Sequence, residues 1–143
     1  CLNSADLSHA ILNGASLFAA DLRHSNLRYA SLMKADLRGA CLRGAVLIGA
    51  TLFEADMRDG AIASRSGLGK DIQKMEVQLG SSDFVAADLS NTNLTGARLS
   101  GAMAMHTDFT DAIMVNCKLV RANLRGAKLT GANLEGANLQ GTD

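Results

Sequence analysis

From Leu2 to Ile62 every fifth residue is apolar, and from Phe84 to Leu139 the same spacing returns in a frame displaced by two. Nineteen of these twenty-five centres are leucine; the others are Met57, Ile62, Phe84, Ala104, Phe109 and Met114. Two residues before each centre stands a smaller residue. It is alanine at eighteen of twenty-four complete positions, with Ser25, Gly60, Ser82, Thr92, Thr107 and Cys117 at the rest. A period of five is neither the 3.6 of a helix nor the 2.0 of an uninterrupted strand. It suits a chain that runs extended for about three residues, small and large side chains inward and a polar one between them outward, and then turns a corner. Ten of the fourteen glycines, Gly14, Gly39, Gly44, Gly49, Gly96, Gly101, Gly126, Gly131, Gly136 and Gly141, stand two residues after a centre and mark that position as the corner.

The units Ala35-Asp36-Leu37-Arg38-Gly39, Ala122-Asn123-Leu124-Arg125-Gly126 and Ala132-Asn133-Leu134-Glu135-Gly136 resemble the pentapeptide-repeat family, whose pattern is A(D/N)LXX. The resemblance covers nearly the whole chain apart from the break between Ile62 and Phe84. It implies an all-β fold: a right-handed quadrilateral parallel β-helix, a solenoid in which four pentapeptides make one coil and residues twenty apart stack. Twenty-five units then make about six coils, a rod roughly 30 Å long at ~4.8 Å per coil. On this reading residues 1–143 form a single domain, with repeats over 1–63 and 82–143 and an insertion over 64–81. Neither end carries a recognisable cap, so the chain reads as a piece of something longer or as a unit that associates end to end.

The break leaves the register open. With walls one to four starting at Leu2, Leu7, Leu12 and Leu17, the step of twenty-two from Ile62 to Phe84 reads either as a normal step plus an excursion, or as a degenerate whole coil with two extra residues. The excursion places Phe84 on wall two and gathers Val46, Ile48, Val85, Met103 and Met105 into one apolar patch. The degenerate coil splits that patch, Val85, Met103 and Met105 continuing the wall of Cys41 and Arg43, and coherence favours the excursion. Within the insertion, Leu68, Ile72, Met75 and Leu79 are spaced four, three and four, predicting a short amphipathic helix that ends near Gly80. A strand over Lys74 to Leu79 is the rival, since polar and apolar residues alternate there. The stripe either folds back onto the patch, each hiding the other from water, or projects to dock a partner. Inside the rod, Phe84 and Ala104 stack whichever wall they occupy, so leucine at Ala104 should overpack that level by ~1–3 kcal/mol.

Composition narrows the function classes. Fourteen Lys+Arg balance fourteen Asp+Glu, which argues against a nucleic-acid grip built on excess positive charge. Arg23 over Arg43 is the nearest approach to an anion site, and Asp21 in the same wall dilutes it. Asp36 and Asp56 stack on wall four, as do Arg38 and Arg58, and read as mixed charge ladders on a solvated wall. The aromatic fraction is 3%, with no Trp and no Pro, so rings to interleave with bases are missing. The longest uncharged apolar stretch, near Gly44 to Phe53, is about half the ~20 residues of a membrane-spanning helix. Cys1, Cys41 and Cys117 are odd in number and widely spaced, indicating neither a disulfide framework nor a zinc site and favouring a reducing, cytoplasmic compartment. His9, His24 and His106 lie at corners, with His9 and His106 four coils apart, too far to share a metal. No Ser sits in a nucleophile elbow. Gly67-Leu68-Gly69-Lys70-Asp71 departs from a phosphate-binding loop at Ser64 and Asp71, and Asn93-Leu94-Thr95 is an ordinary repeat unit that happens to spell a glycosylation sequon.

The expectation is therefore a non-catalytic rod without cofactor, metal, nucleic-acid or membrane partner, which binds a protein through a wall, an end or the insertion. Its candidate residues are Leu68, Ile72, Met75, Leu79, Val46, Ile48, Val85, Met103 and Met105. Because some members of the resembled family are similar in width and charge to duplex DNA and bind DNA gyrase, modulation of that enzyme is the alternative, disfavoured by the neutral charge. A repeat tail that positions another domain is a third reading.

Overall fold

The protein is described by a computed structural model over residues 1–58 and 82–143. Parallel backbone bridges arrange these residues as four columns. Wall one links Asp21, Cys41, Asp83, Met103 and Asn123; wall two links Asp6, Asn26, Val46, Asp88, Asp108 and Lys128. Wall three links Ile11, Ser31, Thr51, Asn93, Ile113 and Asn133, and wall four links Ser16, Asp36, Asp56, Arg98, Lys118 and Asn138. The result is a four-walled parallel β-helix in which each pentapeptide supplies one wall and one corner. Among the described residues no helix is long and apolar enough to cross a membrane.

The period of five follows from where the backbone hydrogen bonds go. Leu22 N–H donates to the Cys41 carbonyl at 2.8 Å and His24 N–H to that of Arg43 at 3.0 Å, while Cys41 N–H donates back to Ala20 at 2.9 Å. Ala45 N–H closes the corner of its unit on the Leu42 carbonyl at 2.9 Å. One donor per unit is left over, that of the outward residue after the centre. The side chain two residues before it supplies the acceptor: Asp36 to Arg38 N–H at 3.2 Å, Asp88 to Ser90 at 3.0 Å, Asn123 to Arg125 at 3.1 Å. Asp and Asn recur in the repeat because they are short enough to bond the main chain two residues on.

Every glycine assigned to a corner has positive φ, from 64° at Gly136 to 73° at Gly101, the mark of the third residue of a type II turn. Thirteen other described residues, among them His9, Ala19, Tyr29 and Asn116, adopt the same conformation at a steric cost glycine avoids. What decides where glycine is needed is the corner one turn below. A corner side chain leans onto the next turn: His24 lies over Gly44, Tyr29 over Gly49, His106 over Gly126, Asp111 over Gly131 and Asn116 over Gly136. Gly14 has open space around it, whereas a Cβ at Gly49 would stand 2.6 Å from the Tyr29 ring. Gly14→Ala should therefore cost only the left-handed backbone, about 1 kcal/mol, and Gly49→Ala more than that. Urea melts of the two variants, repeated in a Tyr29→Ser background, check this: the excess cost at Gly49 should vanish once the ring is gone.

Leu22, Leu42, Phe84 and Ala104 are fully buried in the column behind wall one, with Leu2 and Leu124 half-buried at its ends. Phe84 N–H donates to Met103 at 2.8 Å, so the expected stacking of Phe84 on Ala104 is present. The register across the break differs from the excursion reading. Cys41 bridges Asp83, and Leu42 N–H donates to the Asp83 carbonyl at 2.7 Å, so Phe84 lies directly on Leu42, behind wall one. The place on Leu42 that counting by fives gives to Ile62 is held by Phe84. No coil intervenes, because Leu42 N–H is already paired with the Asp83 carbonyl, Gly44 N–H with that of Val85, and the Ala40 carbonyl with Asp83 N–H. Ile62 and the helical stripe of Leu68, Ile72, Met75 and Leu79 lie outside the described residues.

The chain leaves the described coils at Arg58 and re-enters at Ser82, and one side chain ties the two points. The buried Ser82 hydroxyl accepts Gly39 N–H at 2.9 Å and lies 2.7 Å from the Arg58 carbonyl and 3.2 Å from that of Leu37.

Candidate interaction surface

The register correction splits the apolar patch. Val85, Met103 and Met105 continue the wall of Cys41 and Arg43, whereas Val46 and Ile48 stand on wall two with Asp88. It also moves His106, which shares its corner column with His24 rather than with His9. Among the described residues no cluster of His, Cys, Asp or Glu could hold a metal ion.

Charge on walls one and four is largely neutralised where it stands. Arg23 forks onto Asp21 through Nε at 2.8 Å and Nη2 at 2.7 Å, and Arg38 onto Asp36 in the same way. Arg58 repeats the fork on Asp56, with Arg98 3.8 Å from the same carboxylate. The Arg hydrogen bonds hold Asp21 and Asp36 below the usual carboxylate range. Burial works against the charge on Asp56, and Arg58 outweighs it, leaving that group lowered as well. Arg43, which stacks beside Arg23, has its own carboxylate in Asp83 at 3.5 Å, so the two arginines make no anion site. On wall two, hydrogen bonds from Thr110 and then from Lys128, at 3.0 Å, bring Asp108 to about 2. Cys117 is the opposite case: burial pushes its thiol up to about 12, and Sγ lies 2.8 Å from the Leu94 carbonyl, which makes it an inert core group.

Wall three stands apart. Its outward pairs over the first five turns are Ile11 and Asn13, Ser31 and Met33, Thr51 and Phe53, Asn93 and Thr95, and Ile113 and Val115, without a single charge. Glu135 is the first charged residue it carries. Four of its bridge positions, Ile11, Ser31, Thr51 and Ile113, lack the Asp or Asn that completes the hydrogen bonding of many units, as do Ser16, Arg98 and Lys118 on wall four. Asn13 compensates in part, accepting from the Ser31 hydroxyl at 2.7 Å and from Met33 N–H at 3.0 Å. Ile11 is 82% exposed and Ile113 46%, with Met33 also exposed. Tyr29 flanks the wall at its corner, stacked on His9 at 5.3 Å between ring centroids. This wall was not singled out from the sequence, because the excursion register puts Asn93, Thr95, Ile113 and Val115 on wall four.

The pentapeptide-repeat family model matches residues 1–39, 30–60, 82–119 and 115–143, in 8 copies. The chain belongs to the pentapeptide-repeat family, whose known fold is the right-handed β-helix. Among solved structures, it is 34% identical to HetL, a pentapeptide repeat protein involved in heterocyst differentiation regulation from the cyanobacterium Nostoc sp. strain PCC 7120, covering 98% of this chain and 66% of that one with a TM-score of 0.40. It is 24% identical to a pentapeptide repeat protein of the Arabidopsis thaliana thylakoid lumen, over 99% of this chain and 66% of that one, with a TM-score of 0.29. QnrB1, a plasmid-mediated fluoroquinolone resistance protein, is 17% identical over 97% of this chain and 60% of its own, with a TM-score of 0.40. The chain thus spans 60–66% of the length of these structures. A search of curated protein sequences finds no match.

Proposed function

We propose that the chain is a non-catalytic rod that binds a protein through wall three. Pentapeptide repeat proteins are in general structural or interaction modules. The observation that carries the reading is the absence of charge from this wall across its first five turns, together with the exposed Ile11, Met33 and Ile113. Interface centres are depleted of charge and enriched in Met and aromatic residues, because a buried charge must be paired whereas apolar area gains by leaving water. The wall-one step of Val85, Met103 and Met105 is the lesser candidate, since it adjoins the point where the chain re-enters at Ser82 and is flanked by Arg43. A duplex mimic would need rows of unpaired carboxylates, whereas Asp21, Asp36, Asp56, Asp83 and Asp108 each have a cationic partner.

The test is site-specific photo-crosslinking from two positions, Met33 on wall three and Ser90 on wall two. Protein adducts should form from Met33, be competed away by excess unmodified chain, and be absent from Ser90. Equal labelling from both positions would show that wall three is not the binding surface.

A further inference from the structure

Wall three can be laid against a second copy of itself without bringing two charges together inside it. Its five uncharged turns are centred on the third, where Thr51 and Phe53 stand. Turning a second copy by 180° about an axis through that turn, lying in the plane of the wall and perpendicular to the rod, runs the copies antiparallel and keeps each edge of the wall against the same edge. First turn then meets fifth, and second meets fourth. Phe53 meets Phe53 and Thr51 meets Thr51 at the dyad; Ile11 meets Ile113 at each end. The flanking corner obeys the same match. His9 at the first turn faces Asp111 at the fifth.

We propose that wall three is the interface of a two-fold, antiparallel dimer of this chain. This rests on the reading of wall three as a protein-binding surface and names its occupant as a second copy. An isologous contact must satisfy itself from one set of residues, and a wall without charge does so with no like-charge pair inside it. The one opposing element lies at the edge: Glu54 meets its own symmetry mate, each partly neutralised by Lys34 at 3.5 Å. The area sets the strength. Five turns at ~4.8 Å by a wall of about three extended residues give a footprint of a few hundred Å² per copy, below the ~800 Å² per partner of stable complexes, so the dimer is weak and reversible.

Sedimentation equilibrium of the full chain from about 10 μM to 1 mM is the test, alongside Phe53→Glu and Glu54→Gln, with circular dichroism showing that each variant keeps the parent fold. Both substituted side chains point outward, so folding does not depend on them. The parent should dimerise reversibly, Phe53→Glu should weaken the dimer tenfold or more, and Glu54→Gln should tighten it several-fold. A parent that stays monomeric to 1 mM, or a dimer indifferent to Phe53→Glu, overturns the proposal. If the chain is monomeric while Met33 still crosslinks a different protein, the self-pairing is wrong and the binding wall stands; if nothing crosslinks from Met33, both fall.

Discussion

Truncating Phe84 to alanine is expected to destabilise the rod by about 3–5 kcal/mol, the usual cost of removing a buried ring whose site cannot collapse. The site cannot collapse because the backbone at this level is fixed on both sides. Leu42 N–H bonds Asp83 from one turn and Phe84 N–H bonds Met103 of the next, so neither neighbour can move in to fill the space. The ring also compensates for Ala104, the smallest of the inward centres, which stacks directly on it and is itself fully buried. Ala104→Leu should accordingly cost about 1–3 kcal/mol by overpacking. The two sites share one volume and therefore do not add. Phe84→Leu removes three carbons and Ala104→Val returns two, so the double variant should be about 1 kcal/mol less destabilised than the sum of its parts. Denaturant melts of the four proteins measure this. Strict additivity would mean that the column does not behave as a packed stack, and a loss below 1 kcal/mol for Phe84→Ala would mean that the turns carry their load elsewhere.

The stack of Phe84 on Ala104 was legible in the sequence because it depends only on the interval of twenty, which the hydrogen bonds impose on every turn. The corner residues were legible for the same reason, since glycine at a fixed phase reports a backbone angle. The wall to which Phe84 belongs was not legible. Local spacing is silent about where a chain re-enters after a long excursion, and the choice that gathered Val46 and Ile48 with Val85, Met103 and Met105 rewarded apolar clustering. The structure satisfies a stronger demand: the amides of Leu42 and Gly44 and the carbonyl of Ala40 must be paired, and the first unit after the break pairs them. With that register, wall three emerges from the sequence itself. The same correction separates His106 from His9 and leaves each histidine a solvated corner.

The motif also shows how function can be written on a repeat without disturbing it. Inward residues and corners are constrained by packing and by φ, and where Asp or Asn precedes a centre, by the acceptor it offers two residues on. A wall that gives up this acceptor at Ile11, Ser31, Thr51 and Ile113 trades local hydrogen bonding for a surface of different chemistry. The rod tolerates the exchange because the regular ladder of bonds between turns is made by main-chain groups.

At the edge of the described coils Ser82→Ala should cost about 1–1.5 kcal/mol, the upper end of what the loss of a hydrogen-bonded hydroxyl usually does, because three main-chain groups meet on its oxygen. The Ser82 hydroxyl has one proton, and the Arg58 carbonyl at 2.7 Å is its nearest acceptor; its lone pair takes Gly39 N–H at 2.9 Å. Through it the last residue before the break, the first after it and a corner of the second turn are joined. Removing the oxygen leaves Gly39 N–H and the Arg58 carbonyl with only their mutual bond at 3.1 Å, and the Leu37 carbonyl with only Ala40 N–H at 3.0 Å. Ser25 provides the control, being equally buried and in the same place within its own unit. Its hydroxyl donates at 2.7 Å to the Leu22 carbonyl, which Ser25 N–H already reaches at 3.2 Å, so Ser25→Ala leaves no acceptor empty and should cost about 0.5–1 kcal/mol. Amide hydrogen exchange separates the two effects: Gly39 N–H should lose protection in Ser82→Ala and keep it in Ser25→Ala. Equal melting of the two variants, with Gly39 unchanged in both, would show that the break is closed by the corner backbone alone and that the serine is incidental to it.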